Sequence, residues 1–223
     1  MSQAPTDLLM MLLGDARLPV AGHTQSGGLE PAVQHGLTRA EVPLYLAARL
    51  STTVPVEAGT AVVARHFLVN GLDLTPVQVA WAARTPSAAM RRTSRGQARA
   101  LLRLATRLWP DAPAVGAVAS VPGASRPIAL AAAAAAVGLS PLDLARLIGY
   151  DDAQTVASAA LKLLPLDPIE ATGWVHDALP AVAAMASGVA SLTDPSQIPA
   201  TSAPQTELWA EAHSRTTRRL FSA

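Results

Sequence analysis

The chain has no cysteine among its 223 residues, only 4% aromatic side chains, and almost no excess of charge, with 17 Lys and Arg against 16 Asp and Glu. Each shortage removes a class of protein. Without thiols there is neither a disulfide framework nor a thiolate metal site. A formal net charge of +1 gives no general attraction for nucleic acid or for an anionic membrane surface. Long apolar runs are also missing. Leu8–Leu13 is too short to span a bilayer, and Asp7 stands where a secretory signal would carry Lys or Arg. The alanine tract Ala129–Ala136, broken only by Leu130, is equally short and weakly apolar. A soluble cytoplasmic protein is expected, long enough for one domain with a sizeable core.

What is present points to helices. Half of the chain is hydrophobic, carried mainly by Ala, Leu and Val, and Ala and Leu favour packed helices. Thr38-Arg-Ala-Glu41 and Asp167-Pro-Ile-Glu170 fit the capping box. Thr75-Pro76, Thr85-Pro86 and Ser140-Pro141 each set a cap before a proline, and Gly36, Gly71 and Gly149 stand where helices would stop. No stretch of useful length alternates with the period of a strand. The spacing predicts an all-α fold: a single globular domain of roughly ten helices over residues 1–190. Helices are expected near 6–13, 28–36, 38–51, 57–70, 76–83, 86–108, 127–137, 141–148, 152–163, 168–178, 180–190 and 206–220, with Pro43 and Pro180 as candidate kinks. Ser191–Pro204, rich in Ser, Thr and Pro, reads as a linker. Residues 191–223 are therefore expected to be a linker and a flexible, partner-binding tail.

Two stretches concentrate polar groups. The first is DARLPVAGHTQSGGLEPAVQHG, residues 15–36. Gly22-His-Thr-Gln-Ser-Gly27 begins like a phosphate-binding loop, but Gly28 and Leu29 follow where Lys and Ser or Thr are required. A nucleophile elbow fails as well, because Thr24 stands at the first glycine position and no strand precedes it. A Ser26 hydrolase is kept as an alternative. His23 has no partner at metal-ligand spacing in His35, His66, His176 or His213. The remaining reading is a shaped turn into a helix, with Ser26 or Gly27 as cap and Glu30 in the first turn, where the helix dipole favours negative charge. The second stretch carries Arg91, Arg95, Arg99, Arg103 and Arg107 at four-residue steps. Each step advances a helix by about 40° past a full turn, so the five form a slanting basic stripe. The stripe is a solvated face, a docking surface for an acidic partner, or a nucleic-acid contact; against the last, it lacks interleaved aromatics.

The segment LPVAGHTQSGGLEPAVQHG resembles the N-terminal signature of the urease accessory protein UreF family, through Leu18, Pro19, Gly22, His23, Ser26, Gly28, Leu29, Glu30, Ala32 and Val33. Further matches follow in order: Ser94, Arg95, Gly96, Leu101 and Leu102; then Lys162, Leu163, Pro165 and Leu166; then His213 and the terminal Arg219-Leu220-Phe221-Ser222. The chain departs from the family pattern at Ser125-Arg126-Pro127, at Asp167-Pro168-Ile169 and at Ser214. The resemblance implies an all-α cytoplasmic homodimer that is not an enzyme. It implies an adaptor between the accessory protein UreD (UreH in some organisms) and the GTPase UreG, in a complex that delivers nickel to apo-urease. Nickel and GTP would be handled by that complex, with no cofactor or metal bound by this chain itself. On this reading the tail residues His213, Arg215, Arg218, Arg219, Leu220 and Phe221 become ordered on UreD. Glu30 and Lys162 face the GTPase or the nickel path. His23 and Ser26 belong to the contact loop, and Arg91, Arg95 and Arg99 meet an acidic partner.

Overall fold

A computed structural model describes residues 5–15, 17–19, 24–217 and 219–221. Among these residues there are eleven α-helices: α1 (Thr6–Leu13), α2 (Leu29–Gln34), α3 (Val42–Ser51), α4 (Thr53–Val69), α5 (Thr75–Arg84), α6 (Ala88–Leu108), α7 (Pro113–Ala119), α8 (Arg126–Ala136), α9 (Pro141–Leu163), α10 (Pro168–Val189) and α11 (Pro204–Ser214). Short 3₁₀ turns occur at Arg39–Glu41 and Pro195–Gln197, and no strand is found among the described residues. The protein is all-α, as its composition and punctuation predict.

Several helix starts use the caps legible in the sequence. The Thr38/Glu41 capping box forms, with Glu41 accepting from both the amide and the hydroxyl of Thr38 at 2.8 and 2.7 Å. Ser140 accepts from the amide of Asp143 at 3.1 Å and starts α9. Asp167 accepts from the amide of Ile169 at 2.8 Å, but Glu170 does not complete a box; it pairs with Arg39 instead. Pro43 lies in the first turn of α3, where it costs no hydrogen bond and makes no kink.

Two expected breaks are absent. The pieces 141–148 and 152–163 are one helix, and so are 168–178 and 180–190, with Pro180 carried inside α10. Gly149 is not a stop. A Cβ on it would lie 2.9 Å from both Val182 and Met185, so its bare backbone is what lets α9 and α10 approach as a hairpin. α7 was not anticipated. Its seven residues start at Pro113 and bury Val115 and Val118.

The core is built from small side chains. The alanine tract is α8, whose residues Pro127 through Ala134 are all buried, with α4, α6 and α7 packed around it. Ala58, Ala61, Val62, Val63 and Ala64 of α4 and Leu144, Ala145 and Ile148 of α9 complete the main cluster. A second cluster gathers Leu29, Ala32, Val42, Tyr45, Leu46, Ala153, Val156, Ala159, Ala160 and Phe221. The segment read as a linker is laid against the body. Ile198 is 2% exposed, Arg84 donates to the carbonyls of Ile198 and Ser196, and Thr201 donates to the carbonyl of Thr52 at 2.6 Å. Its polar residues serve as caps: Asp194 and Gln197 form a capping box. α11 ends at Ser214, short of the expected 220.

Candidate partner-docking site

The signature turn is shaped by close approach. Gly27 and Gly28 have φ of 60° and 80°, a region that side chains resist. A Cβ on Gly27 would lie 2.9 Å from Val156, and one on Gly28 would lie 2.8 Å from the Tyr45 hydroxyl. That hydroxyl donates to the carbonyl of Gly27 at 2.8 Å, and burial pushes its pKa up. Ser26 is 1% exposed, and its Oγ accepts from the amide of Glu30 at 3.3 Å. The N-cap of α2 is Gly28 rather than Ser26 or Gly27, and the Ser26 hydroxyl, turned away from solvent, reaches past it to the Glu30 amide.

Glu30 is 3% exposed, although it is a charged residue at a helix start. Its Oε1 accepts from the amide of Leu220 at 2.6 Å and its Oε2 from the amide of Phe221 at 2.8 Å. Nε2 of His213 lies 3.2 Å from Oε2 and 3.4 Å from the carbonyl oxygen of Phe221. One carboxylate thus collects two consecutive backbone donors in charge-assisted bonds, with the His213 ring beside it. The Phe221 ring, 4% exposed, sinks into the second cluster, and Nζ of Lys162 stands 5.2 Å from its centroid, within cation–π range. Ser26, Glu30, Lys162, His213, Leu220 and Phe221 come together as one site, formed between the two ends of the chain.

α11 holds this site to the rest of the molecule. Glu211 accepts from the Ser87 hydroxyl at 2.7 Å and from the amide of Ala89 at 2.8 Å, at the start of α6. These bonds, the backbone one foremost, hold its carboxyl below the usual carboxylate range. The Trp209 ring tilts over His35 of the turn after α2 at 6.1 Å. α11 contacts both α2 and α6 and so links the two polar stretches of the sequence. Facing outward around it are Leu208 (65% exposed), Leu220 (62%), Arg215, Arg219 and Lys162.

The arginine stripe divides. A drift of about 40° per step turns its two ends to different surroundings. Arg91 folds back on the end of α5, donating to the carbonyls of Thr85 and Pro86 at 2.6 and 2.8 Å. Arg95 lies against the turn at Gly123, with its Nε buried and without a hydrogen-bond partner. Arg99, Arg103 and Arg107 are exposed, as is Arg92. The structure separates Arg99 from Arg91 and Arg95, and it replaces one stripe by two anchored cations and an open basic face. His23 and Arg218 lie outside the described residues.

Sequence reasoning missed the ion pairs that brace the site from below. Arg49 of α3 makes a two-pronged pair with Asp152 of α9, at 2.9 and 2.6 Å, and Arg126 pairs with Asp151 at 2.5 Å. Arg49 and Asp152 are 103 positions apart, and no local pattern joins them. Among the described residues no three His, Asp or Glu side chains converge as a metal site, and no helix is long and apolar enough to cross a membrane.

Comparison with known proteins adds an independent observation. The family model described as UreF matches residues 29–179, from the first residue of α2 into α10. The chain is 36% identical over 222 residues to a urease accessory protein UreF of Mycobacterium sp. (strain JLS), covering 96% of this chain and 97% of that one. It is 36% identical over 194 residues to the protein of that name from Mycolicibacterium vanbaalenii, covering 83% and 88%. The protein of that name from Mycobacterium marinum is 35% identical over 201 residues, covering 85% and 90%.

Proposed function

This chain belongs to the UreF family of urease accessory proteins, and from that premise we propose that it bridges the accessory protein UreD (UreH) and the GTPase UreG as a cytoplasmic homodimer. In that role it regulates the GTP-dependent delivery of nickel to apo-urease and turns over no substrate itself. The observation that supports this best is the joining of the chain's two ends at Glu30. The signature turn and the tail, far apart in sequence, form a single surface there. The tail backbone and the Phe221 ring are spent on holding the tail in place. The Leu220, Leu208, Arg219 and Lys162 side chains are left for a partner. An exposed apolar pair ringed by cations is the composition of a protein contact, and the proposal assigns it to UreD.

The open face of α6, with Arg99, Arg103 and Arg107, is assigned to an acidic surface of the second partner, since arginine is the cation favoured at interfaces. The buried Ser26 hydroxyl, occupied by an amide, speaks for an adaptor and against a serine nucleophile. The decisive experiment is co-purification of the tagged chain with the UreD and UreG homologues of its own host. Capture of both is expected, with UreD capture reduced by Glu30→Ala. Failure to retain either protein, under conditions in which both are soluble, overturns the reading.

A further inference from the structure

A second constellation lies beneath the signature turn and is untouched by the docking argument. A cavity of 150 Å³ opens between α4, α5, α6, the start of α8 and α9, and it is roofed by Gly27, Gly28, Thr206 and Glu207. Its wall carries charges of both signs in Arg49, Glu57, Arg126, Asp151 and Asp152, beside the fully buried Trp81. Removing each of these groups from water is costly unless its hydrogen-bonding capacity is used.

That capacity is only partly used. A guanidinium has five N–H donors. Arg49 engages Asp152 through Nε and Nη2, and Arg126 engages Asp151 through Nη2. Glu57 accepts at Oε1 from the indole N–H of Trp81 at 2.8 Å, and Asp151 accepts at Oδ2. Among the described residues, no hydrogen bond is found at Nη1 of Arg126, Oε2 of Glu57 or Oδ1 of Asp151, while Arg49 also reaches the Tyr45 hydroxyl. The Thr53 hydroxyl, also on the wall, is buried and has no partner. Burial pushes the Glu57 and Asp151 carboxyls above their ordinary values, against the opposing pull of Arg126.

We infer that this cavity is a binding site for a small zwitterion of the α-amino-acid class, its ammonium group on Glu57 and Asp151 and its carboxylate on Arg126 and Arg49. The charge pattern selects this class. Arg49–Asp152 and Arg126–Asp151 pair off and leave Glu57 without a cation, so the wall offers a carboxylate to an ammonium group, while the open Nη1 of Arg126 offers a donor to a carboxylate. A guest with separated charges satisfies both sets at once. The volume suits a molecule of a few heavy atoms, and no triad of metal-ligating side chains competes for the space among the described residues. Because the roof is the signature turn and α11, an occupied cavity also holds α11 down.

The test uses the full chain and direct binding, so it does not depend on any partner. Glycine and L-serine are titrated by calorimetry alongside methylammonium and acetate, the two halves of a zwitterion, at matched ionic strength. Saturable binding of at least one amino acid and of neither half is expected. Glu57→Gln and Thr53→Val, the latter of nearly constant volume, each weaken that binding about tenfold, while Glu170→Gln on the outer surface leaves it unchanged. Either cavity variant alone suffices if the other fails to fold by circular dichroism. Absence of saturable binding by both amino acids overturns the inference, as does equal binding of methylammonium or acetate, or affinity unchanged in the cavity variants.

Discussion

The tail site at Glu30 and the outer face of α6 both carry residues that the sequence marks as exceptional, yet the fold treats them in opposite ways. At Glu30 the polar group is 3% exposed and its two oxygens receive two amide donors from the far end of the chain, with His213 Nε2 3.2 Å from one of them. On α6 the cations Arg99, Arg103 and Arg107 reach into water, and none takes part in an ion pair among the described residues. A few desolvated bonds fix a conformation. Many solvated charges steer and select without fixing anything. The difference separates a structural latch from an adhesive surface, and variants at the two regions should separate likewise.

The largest effect belongs to the latch. Glu30→Ala leaves the amides of Leu220 and Phe221 without their acceptor in a buried place and removes the carboxylate beside the His213 ring, a loss of roughly 3–5 kcal/mol if the tail stayed docked. A segment held by so few bonds cannot bear that, so the tail should detach. Amide exchange at Leu220 and Phe221 reports it directly, and wild-type protection in the variant would break the account. Phe221→Ala removes the ring from the second cluster and should weaken docking by about 3 kcal/mol, the low end for a buried phenylalanine because a segment outside any helix can settle into the space. Denaturant unfolding read at Trp209, which packs against the same cluster, measures it. A Phe221→Leu variant recovering much of the loss would tie it to apolar burial.

How far each region could be read in advance follows from the same contrast. Caps, turns and the helical period are local, so the helix starts at Thr38–Glu41 and Ser140 were legible, and so was the basic stripe. The continuity of α9 through Gly149 was not, because what keeps that residue small is Val182 and Met185 on another helix. The packing of 191–204 was hidden for the same reason. Its Ser, Thr and Pro content suits a solvated linker equally well, and only Ile198 and the carbonyls that Arg84 seeks decide the matter. For the site, the resemblance to the family singled out Glu30, Lys162, His213 and Phe221. That they meet one another inside the chain required 190 residues of intervening fold.

A smaller effect sharpens the role of α11 as the link between the regions. Ser87→Ala removes the cap of α6 and one donor to Glu211, and should cost about 1 kcal/mol. The Glu211 carboxyl has a lowered pKa, since the folded state favours its ionised form through Ala89 and Ser87. Its contribution is therefore fully present above its ordinary value of 4.5 and is lost as the pH falls from there through the lower folded-state value. Protection of the α11 amides, measured relative to their intrinsic exchange rate at each pH, should fall over that acid window in the wild type. A Glu211→Gln variant should lack this dependence, and the idea fails if the two proteins lose protection in parallel.

The smallest effect on stability tests the other side of the comparison. Replacing Arg99, Arg103 and Arg107 together by Gln removes three solvated charges that make no ion pair among the described residues, so unfolding free energy should move by no more than about 0.5 kcal/mol. Arg91→Gln is the internal control. It strips two carbonyls at the end of α5 of their donor and should lower stability without touching the open face. If that face meets an acidic partner, the triple variant loses capture of that partner at low ionic strength, and the salt dependence of binding flattens as screening has less charge to act on. Arg91→Gln should keep the wild-type salt dependence. Capture and salt dependence unchanged in the triple variant would make the α6 face a solvated surface only, and docking would then rest on the surface built around Glu30.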